Sequence, residues 1–500
     1  MSAEESQETL EFQLGHNWFA KAGIVILALG VVFLLTFPFP DLPPAVPSLA
    51  GYLLVGLILM VSRYWRANYQ LISRYLRGGG LLLLYFTTLR LAHFSTRPAI
   101  TNPGIEVALL LGVVAINLMV AVRKLSPYLA GISLFMGYFT ALAGEEAYST
   151  FGVIAAMSAV SAFLYRRYQW DAIILLGALG ALLTHALWAI NNPVFGNTPQ
   201  MVSSPETNLL FVLLYAVILA VPSLCVASDV QETSIEEAVT LLSGGGAYGL
   251  LLLLTIRPFS SHVVSWHLLA SFVFLGLATL CWVRRKSKHM TFVYAMLGYL
   301  ALSVAIIARF KMPSFYIWLC WQSLLVVSTA VWFRSKFIVL GNFAIYLIVF
   351  LAYLASAGTA NAVSISFGLV ALLSARILNW QKDSLELKTE FMRNAYLASA
   401  LVMIPYGLYR LVPIGFVSLS WLVLAALYYL FSRWLRNRKY RWMALLTIAL
   451  TIFRVFLVDL TRVNPTFRVV SFLVLGSALL VISMAYSQRR AKSEKSTPKN

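Results

Sequence analysis

A few ionisable side chains stand inside otherwise apolar stretches, and they are where this 500-residue sequence could do chemistry. Arg90, Arg410 and Arg454 each lie toward one end of an apolar run, Arg257 sits just beyond another, and His93 follows Arg90 by one turn. A charged side chain within hydrocarbon costs roughly 2.5–3.5 kcal/mol on insertion scales, so such a residue is read as functional by default. A guanidinium offers a planar fork of N–H donors that fits a phosphate or carboxylate. Arg90, Arg257, Arg410, Arg454 and His93 are therefore expected to hold an anionic group. Asp459, in FRVFLVDLTRVNPTFR, is the candidate acidic partner, close in sequence to Arg454 and Arg462. The plainer alternative is snorkelling, in which the long basic side chains merely reach the headgroups. For Asp459 the plainer alternative is a structural pairing with an arginine.

Other chemistries find little support. Gly78–Gly80 and Gly244–Gly246 run into apolar sequence with no Gly-Lys-Ser/Thr after them, so they read as close-packing positions rather than phosphate loops. The histidines are scattered: His262 and His267 are five apart, off the spacing that places two ligands on one helical face. Cys225, Cys281 and Cys320 are odd in number and unclustered, the pattern of small buried hydrophobes and not of disulfides or a metal site. No metal and no cofactor is expected. Glu106, Glu145 and Glu146 fall at outer turns, where a solvated carboxylate is the expectation. Asp41, in FPFPDLPP, lacks the long outer loop or domain that a lipid-linked-sugar transferase usually adds to its carboxylate.

The elements that must position these residues follow from composition. Hydrophobic residues make up 60% of the chain and charged ones 11%, against roughly 25% charged in soluble proteins, and mean hydropathy is +0.80. The fold expected is an all-α polytopic integral membrane protein of about eighteen transmembrane helices. They centre on residues 18–37, 45–62, 75–94, 104–122, 126–143, 147–165, 170–190, 207–227, 236–256, 263–283, 290–308, 313–333, 337–355, 358–378, 393–412, 414–432, 441–458 and 467–487. No connection is long enough to fold as a domain. The first run is too long for a secretory signal and follows an acidic tail, so it is expected to be retained.

The net charge of +19 could suggest nucleic acid, but its distribution does not. Lys and Arg concentrate in alternate connections, such as Arg284, Arg285, Lys286 and Lys288, and in the C-terminal tail. The opposite connections hold only Arg97, Arg257, Arg309, Lys311, Arg462 and Arg468. That asymmetry orients membrane proteins with the positive side inside, which predicts cytoplasmic N- and C-termini and partners among anionic membrane lipids. Two inner segments, 62–77 and 379–393, have the composition of helices lying at the interface.

An internal repeat is also expected. YLRGGGLLLLYFTTLRLAHF (75–94), LLSGGGAYGLLLLLTIRPFSSH (241–262) and FMRNAYLASALVMIPYGLYRLV (391–412) each near one end with Arg90, Arg257 or Arg410. The following helices lead into VRKLSPYL, VRRKSKHM and LRNRKYRW. In that frame a tail (1–17) precedes three parallel six-helix units, 18–165, 166–333 and 334–487, and a basic tail (488–500) follows.

Both ends of the chain resemble a known family. LEFQLGHNWFAKAGIVILALGVVFLL (10–35), with its LGxxW element, and SRYLRGGGLLLLYFTTLRLAHF (73–94) resemble the opening of a bacterial family of predicted polytopic membrane proteins of unknown function. The close, 453–490, is similar to that family's terminal helix pair, with an Asp-Leu turn before Arg468, Ser471, Phe472, Leu475 and Gly476. The resemblance implies a multi-pass protein of the bacterial inner membrane and supplies no reaction. Three functions stay open. A non-ATP-driven transporter or flippase for an anionic or lipid-linked envelope molecule fits best. The alternatives are a membrane-embedded transferase acting on envelope lipids or glycans, and a non-catalytic envelope scaffold.

Overall fold

The computed structural model describes residues 43, 45–93, 98–144, 146–226, 233–356, 362–380 and 390–459, with 469, 473–477 and 480. These residues form sixteen helices and no strand. The first ten are α1 (Ala45–Tyr64), α2 (Gln70–Leu89), α3 (Pro103–Arg123), α4 (Pro127–Ala143), α5 (Ala147–Tyr168), α6 (Asp171–Ala189), α7 (Asn208–Leu224), α8 (Ser234–Ile256), α9 (Val263–Leu280) and α10 (Lys288–Arg309). The others are α11 (Ser314–Trp332), α12 (Lys336–Ser356), α13 (Ala362–Trp380), α14 (Glu390–Leu411), α15 (Val417–Trp434) and α16 (Arg438–Arg454). Single π turns interrupt α8 at Leu241–Gly245, extend α9 through Cys281–Arg285 and extend α16 through Val455–Asp459.

Every expected interval from 45–62 to 441–458 coincides with one of these helices. The interval 18–37 and both tails lie outside the described residues, as does most of 467–487. Eleven of the helices are long and apolar enough to cross a membrane, and α4, α7 and the part of α13 from Ile365 are shorter apolar helices. At 1.5 Å per residue, a 20-residue helix spans about the 30 Å of the hydrocarbon core.

The chain divides into two compact units, residues 1–302 and 303–500, the division falling within α10. In the first unit one buried cluster runs through α2 to α7, including Tyr85, Leu89, Leu110, Leu134, Ile154 and Tyr215. A smaller cluster joins α5, α6, α7 and Val239 of α8. The glycine triplets serve close packing: a Cβ on Gly80 would lie 3.0 Å from Leu59 of α1, and one on Gly244 would lie 3.0 Å from Tyr294 of α10. In the second unit aromatic rings fill the space between α12, α13 and α14. The Tyr346 ring lies 4.8 Å from Tyr396 and 5.9 Å from Phe367, and its hydroxyl donates to Phe367 O.

Two expectations are corrected. Residues 62–77 do not form an interfacial helix. α1 runs to Tyr64 and α2 starts at Gln70, because Ser62 Oγ donates to Ser73 O (2.7 Å) and Ser73 Oγ to Ser62 O (2.6 Å), both serines being buried. These reciprocal bonds staple the two helix ends into one hairpin. Cys225 is exposed at the end of α7, whereas Cys281 and Cys320 are buried as expected. Of segment 379–393, residues 381–389 lie outside the described residues.

The short basic joints share one geometry. Leu125 (φ 48°), Gln169 (φ 56°), Lys286 (φ 56°), Arg334 (φ 47°) and Arg436 (φ 47°) are left-handed and stop α3, α5, α9, α11 and α15. The next residue caps the following helix in four of these joints: Ser126 accepts from Leu129 N, Ser287 from Met290 N, Ser335 from Ile338 N and Asn437 from Lys439 N. Its own N–H reaches back to the preceding helix, as in Ser126 to Ala121 O, Ser335 to Ala330 O and Asn437 to Ser432 O. A two-residue joint thus closes orphan carbonyls on one side and orphan amides on the other.

The left-handed region costs an L-residue roughly 1–2 kcal/mol, partly offset in glycine by its greater chain entropy. Leu125→Gly and Arg334→Gly are therefore expected to stabilise the protein by about 0.5–1 kcal/mol each, read as a higher thermal midpoint in detergent. Leu125→Val should lower it. Glycine variants less stable than the parent would show that these joints do not hold the left-handed conformation.

Candidate functional site

The expected site residues fall into different settings. In the first unit Arg90 directly follows α2 and is only 2% exposed. His93 Nε2 lies 2.7 Å from Glu106 Oε1. Glu106 occupies the first turn of α3, where a carboxylate is favoured by the helix dipole, and it is 7% exposed. The expectation of a solvated turn carboxylate is thus overturned for Glu106, because the His93 imidazole and the end of the α2–α3 hairpin cover it; Glu146 is exposed. Phe195 lies 5.0 Å from the His93 ring and 5.4 Å from Phe139, and Tyr85 bonds Thr140 Oγ1 at 2.8 Å. Arg257 ends α8 and is exposed, so it does not share the burial of Arg90.

A cavity of about 610 Å³ lies in the second unit, among α14, α15 and α16. Leu401, Val402, Leu446, Leu450, Phe453 and Leu457 give it apolar walls, and Pro405, Tyr406, Tyr409, Trp421 and Arg454 add the polar and aromatic part. Arg454 is 5% exposed. Its Nε donates to Ser418 Oγ (3.1 Å) and an Nη donates to Ile414 O (3.2 Å). Its Cζ stands 5.3 Å from the Tyr409 ring and 5.5 Å from the Trp421 ring, a cation–π arrangement that steadies a desolvated guanidinium. Pro405 has no N–H and removes one ladder bond from α14; Trp421 Nε1 donates to its carbonyl at 3.0 Å. Arg410 is exposed in the last turn of α14, with its Cζ 5.7 Å from the Tyr406 ring. Asp459 closes the π turn after Arg454, and its side chain lies outside the described residues. Apolar walls with few polar groups, in this volume range, are the usual form of a small-molecule site.

Three pairings had no sequence signal strong enough to find them. Beside the His93–Glu106 contact, Glu206 takes both His262 Nδ1 (3.1 Å) and Trp266 Nε1, joining the starts of α7 and α9. The third pair lies at the opposite end of α9. Arg285, which by sequence belongs to a topogenic loop, is buried and its Nη2 donates to Glu236 Oε2 at 3.2 Å. Glu236 also completes a capping box with Thr233 at the start of α8, so one carboxylate serves two roles. The TSIEE segment is a legible helix start; its arginine, 49 residues on, is not.

The sequence profile of a family described as "Predicted membrane protein (DUF2339)" matches residues 15–404 and residues 347–488. No curated protein and no solved structure matches the chain.

The buried Arg285–Glu236 pair gives a test of the first unit's packing. Removing one member of a buried pair typically costs about 3–5 kcal/mol because the other charge is stranded. Arg285→Leu should therefore destabilise the protein by about that amount. Adding Glu236→Gln removes the charge while keeping the cap, and should return most of the loss in thermal unfolding. No recovery in the double variant would mean that the arginine acts through packing alone.

Proposed function

The chain belongs to the DUF2339 family of predicted membrane proteins, and from that premise we propose that it is a transporter or flippase, not driven by ATP, for an anionic or lipid-linked envelope molecule. The observation that carries this reading is the cavity of the second unit, whose apolar walls meet a buried guanidinium held between two rings. An acyl or isoprenoid chain would lie against Leu401, Leu446, Leu450 and Phe453, and its phosphate or carboxylate would meet Arg454. Arg410, one turn beyond Tyr406, would draw the headgroup in. Arg90, Arg257 and His93, all in the first unit, are retained as further candidate anion contacts by residue type. The protein would sit in the bacterial inner membrane with both termini cytoplasmic, as the distribution of Lys and Arg suggests.

The three parallel six-helix units belong to the same proposal. Its support is the recurrence of one joint, a left-handed residue at Leu125, Lys286 and Arg436 followed by a capping Ser126, Ser287 or Asn437. These are the joints that the sequence alignment of the units makes equivalent.

Protein purified in mild detergent should retain an anionic, chain-bearing lipid identifiable by native mass spectrometry. Arg454→Leu should lose it, and Arg454→Lys should retain it at least tenfold less well, because an ammonium cannot make the bidentate fork. Arg410→Leu should weaken retention by a smaller factor. Equal retention by the Arg and Lys forms would instead support snorkelling. Retention of zwitterionic lipid alone would reject an anionic cargo and favour the scaffold reading.

A further inference from the structure

The cavity of the second unit lies toward the end of α14 that carries Arg410, and the opposite end of the same helix holds a separate basic cluster. Arg393 stands in the first turn of α14, about 26 Å from Arg410 along the axis at 1.5 Å per residue. It is only 8% exposed, and its Nε has no hydrogen-bond partner among the described residues. Lys439 lies at the start of α16, where its Nζ donates to Asn394 Oδ1 of α14 at 2.6 Å and ties the two helix starts together. Both cations face one oxygen: Arg393 Nη2 and Lys439 Nζ each lie 3.9 Å from Glu390 Oε1. That distance is too long for a hydrogen bond, and the Glu390 side chain is 80% exposed. The carboxylate therefore marks where an anionic oxygen can sit between the two cations, without satisfying either. α13 runs antiparallel alongside, since Tyr346 Oη bonds both Phe367 O and Ser399 Oγ and a Cβ on Gly368 would meet Ile404. In that register Arg376, which is exposed, is level with the first turns of α14.

Three features set this cluster apart from a solvated basic face. A guanidinium more than nine-tenths buried with an unpaired N–H is short of acceptors. A helix start carries positive partial charge, so cations there oppose the dipole; α16 nevertheless opens with Arg438, Lys439 and Arg441 and no acidic residue in its first turn. An anion bound at this point reverses that mismatch, because the helix start and the side chains then attract the same group. The surrounding helix ends also present exposed rings, Phe391 on α14, Trp434 on α15 and Trp442 on α16, as proteins do at the membrane–water interface. We propose that Arg393 and Lys439, with the start of α16, bind the phosphate of an anionic lipid headgroup, and that Glu390 is the carboxylate this phosphate displaces. The leaflet is the one that the distribution of Lys and Arg assigns to the cytoplasm. Two oxygens of one phosphate can meet both cations at hydrogen-bond distance, where a single carboxylate oxygen meets neither. The exposed rings favour a lipid over a free phosphate as the source.

The site does not depend on the Arg454 cavity, and one measurement keeps the two apart. The full chain in mild detergent is treated with a water-soluble acetylating reagent, and acetylation of Lys439 is followed by peptide mass spectrometry. Protection is the ratio of rates without and with added dioctanoyl phosphatidylglycerol, and Lys336, exposed at the start of α12, reports general surface charge. The lipid should slow acetylation of Lys439 at least fivefold and that of Lys336 little. Dioctanoyl phosphatidylcholine should protect neither, and inorganic phosphate should protect Lys439 only at far higher concentration. Arg393→Gln should abolish the protection, and Arg393→Lys, which serves if the glutamine variant misfolds, should weaken it. Glu390→Gln, at an exposed position, should lower the lipid concentration for half protection several-fold, because the competing carboxylate is gone. Arg454→Leu should leave the protection unchanged. Equal protection by inorganic phosphate would overturn the lipid assignment. No protection by phosphatidylglycerol, or protection that persists undiminished in both Arg393 variants, would overturn the site itself.

Discussion

Inside hydrocarbon no water satisfies a backbone amide or carbonyl, so each span must close its hydrogen bonds within itself and each connection must resolve the groups left over at helix ends. The described joints meet this demand in very little chain. Between α3 and α4, a single left-handed Leu125 turns the backbone, Ser126 N returns to Ala121 O, and Ser126 Oγ takes Leu129 N. The same solution recurs after α11 and α15. Because the joints are this short, consecutive helices are forced into antiparallel hairpins, and the side chains at each helix end are fixed by the joint beside them.

The same constraint decides how buried charge is tolerated, and the protein does so in two ways. Arg285 is neutralised by a carboxylate, Glu236, with both side chains almost fully buried. Such a pair is a poor binding site, since its charges are already spent on each other. Arg454 has two neutral acceptors, Ser418 Oγ and Ile414 O, and two aromatic faces. Those contacts orient the guanidinium and lower the cost of its burial, at roughly 0.5–2 kcal/mol for a cation–π contact. It borders a cavity with apolar walls.

Helices were legible because each reports itself locally, as a run of apolar residues ended by a basic or capping cluster. All intervals from 45–62 to 441–458 are recoverable this way. Residues 62–77 were misread since aromatic and arginine spacing alone suggested an interfacial helix, and nothing in one dimension reveals that Ser62 and Ser73 bond each other. For the same reason the sequence marks Glu106 only as a turn carboxylate; its burial depends on His93 returning across the α2–α3 hairpin. The arginine of the cavity could be singled out as an intramembrane charge, but the rings and the Pro405 carbonyl that build the cavity around it lie on other helices.

Sequence likeness between Arg90, Arg257 and Arg410 does not carry over to their surroundings, and the helix end explains why. After Arg90 come two bonds back to the end of α2, from Ala99 N and Ile100 N to Leu91 O, and Arg90 is buried. After Arg257 comes Pro258, which cannot donate to continue α8, and Arg257 is left exposed. Arg410 still lies within its helix, one turn after Tyr406, and rests against that ring. A desolvated guanidinium binds an anion far more strongly than one in water, because the attraction is divided by a smaller effective dielectric constant. By burial, Arg90 and Arg454 are the desolvated positions and Arg257 and Arg410 the exposed ones. The division follows from the residues just after each arginine, which is where a comparison of related sequences would show it.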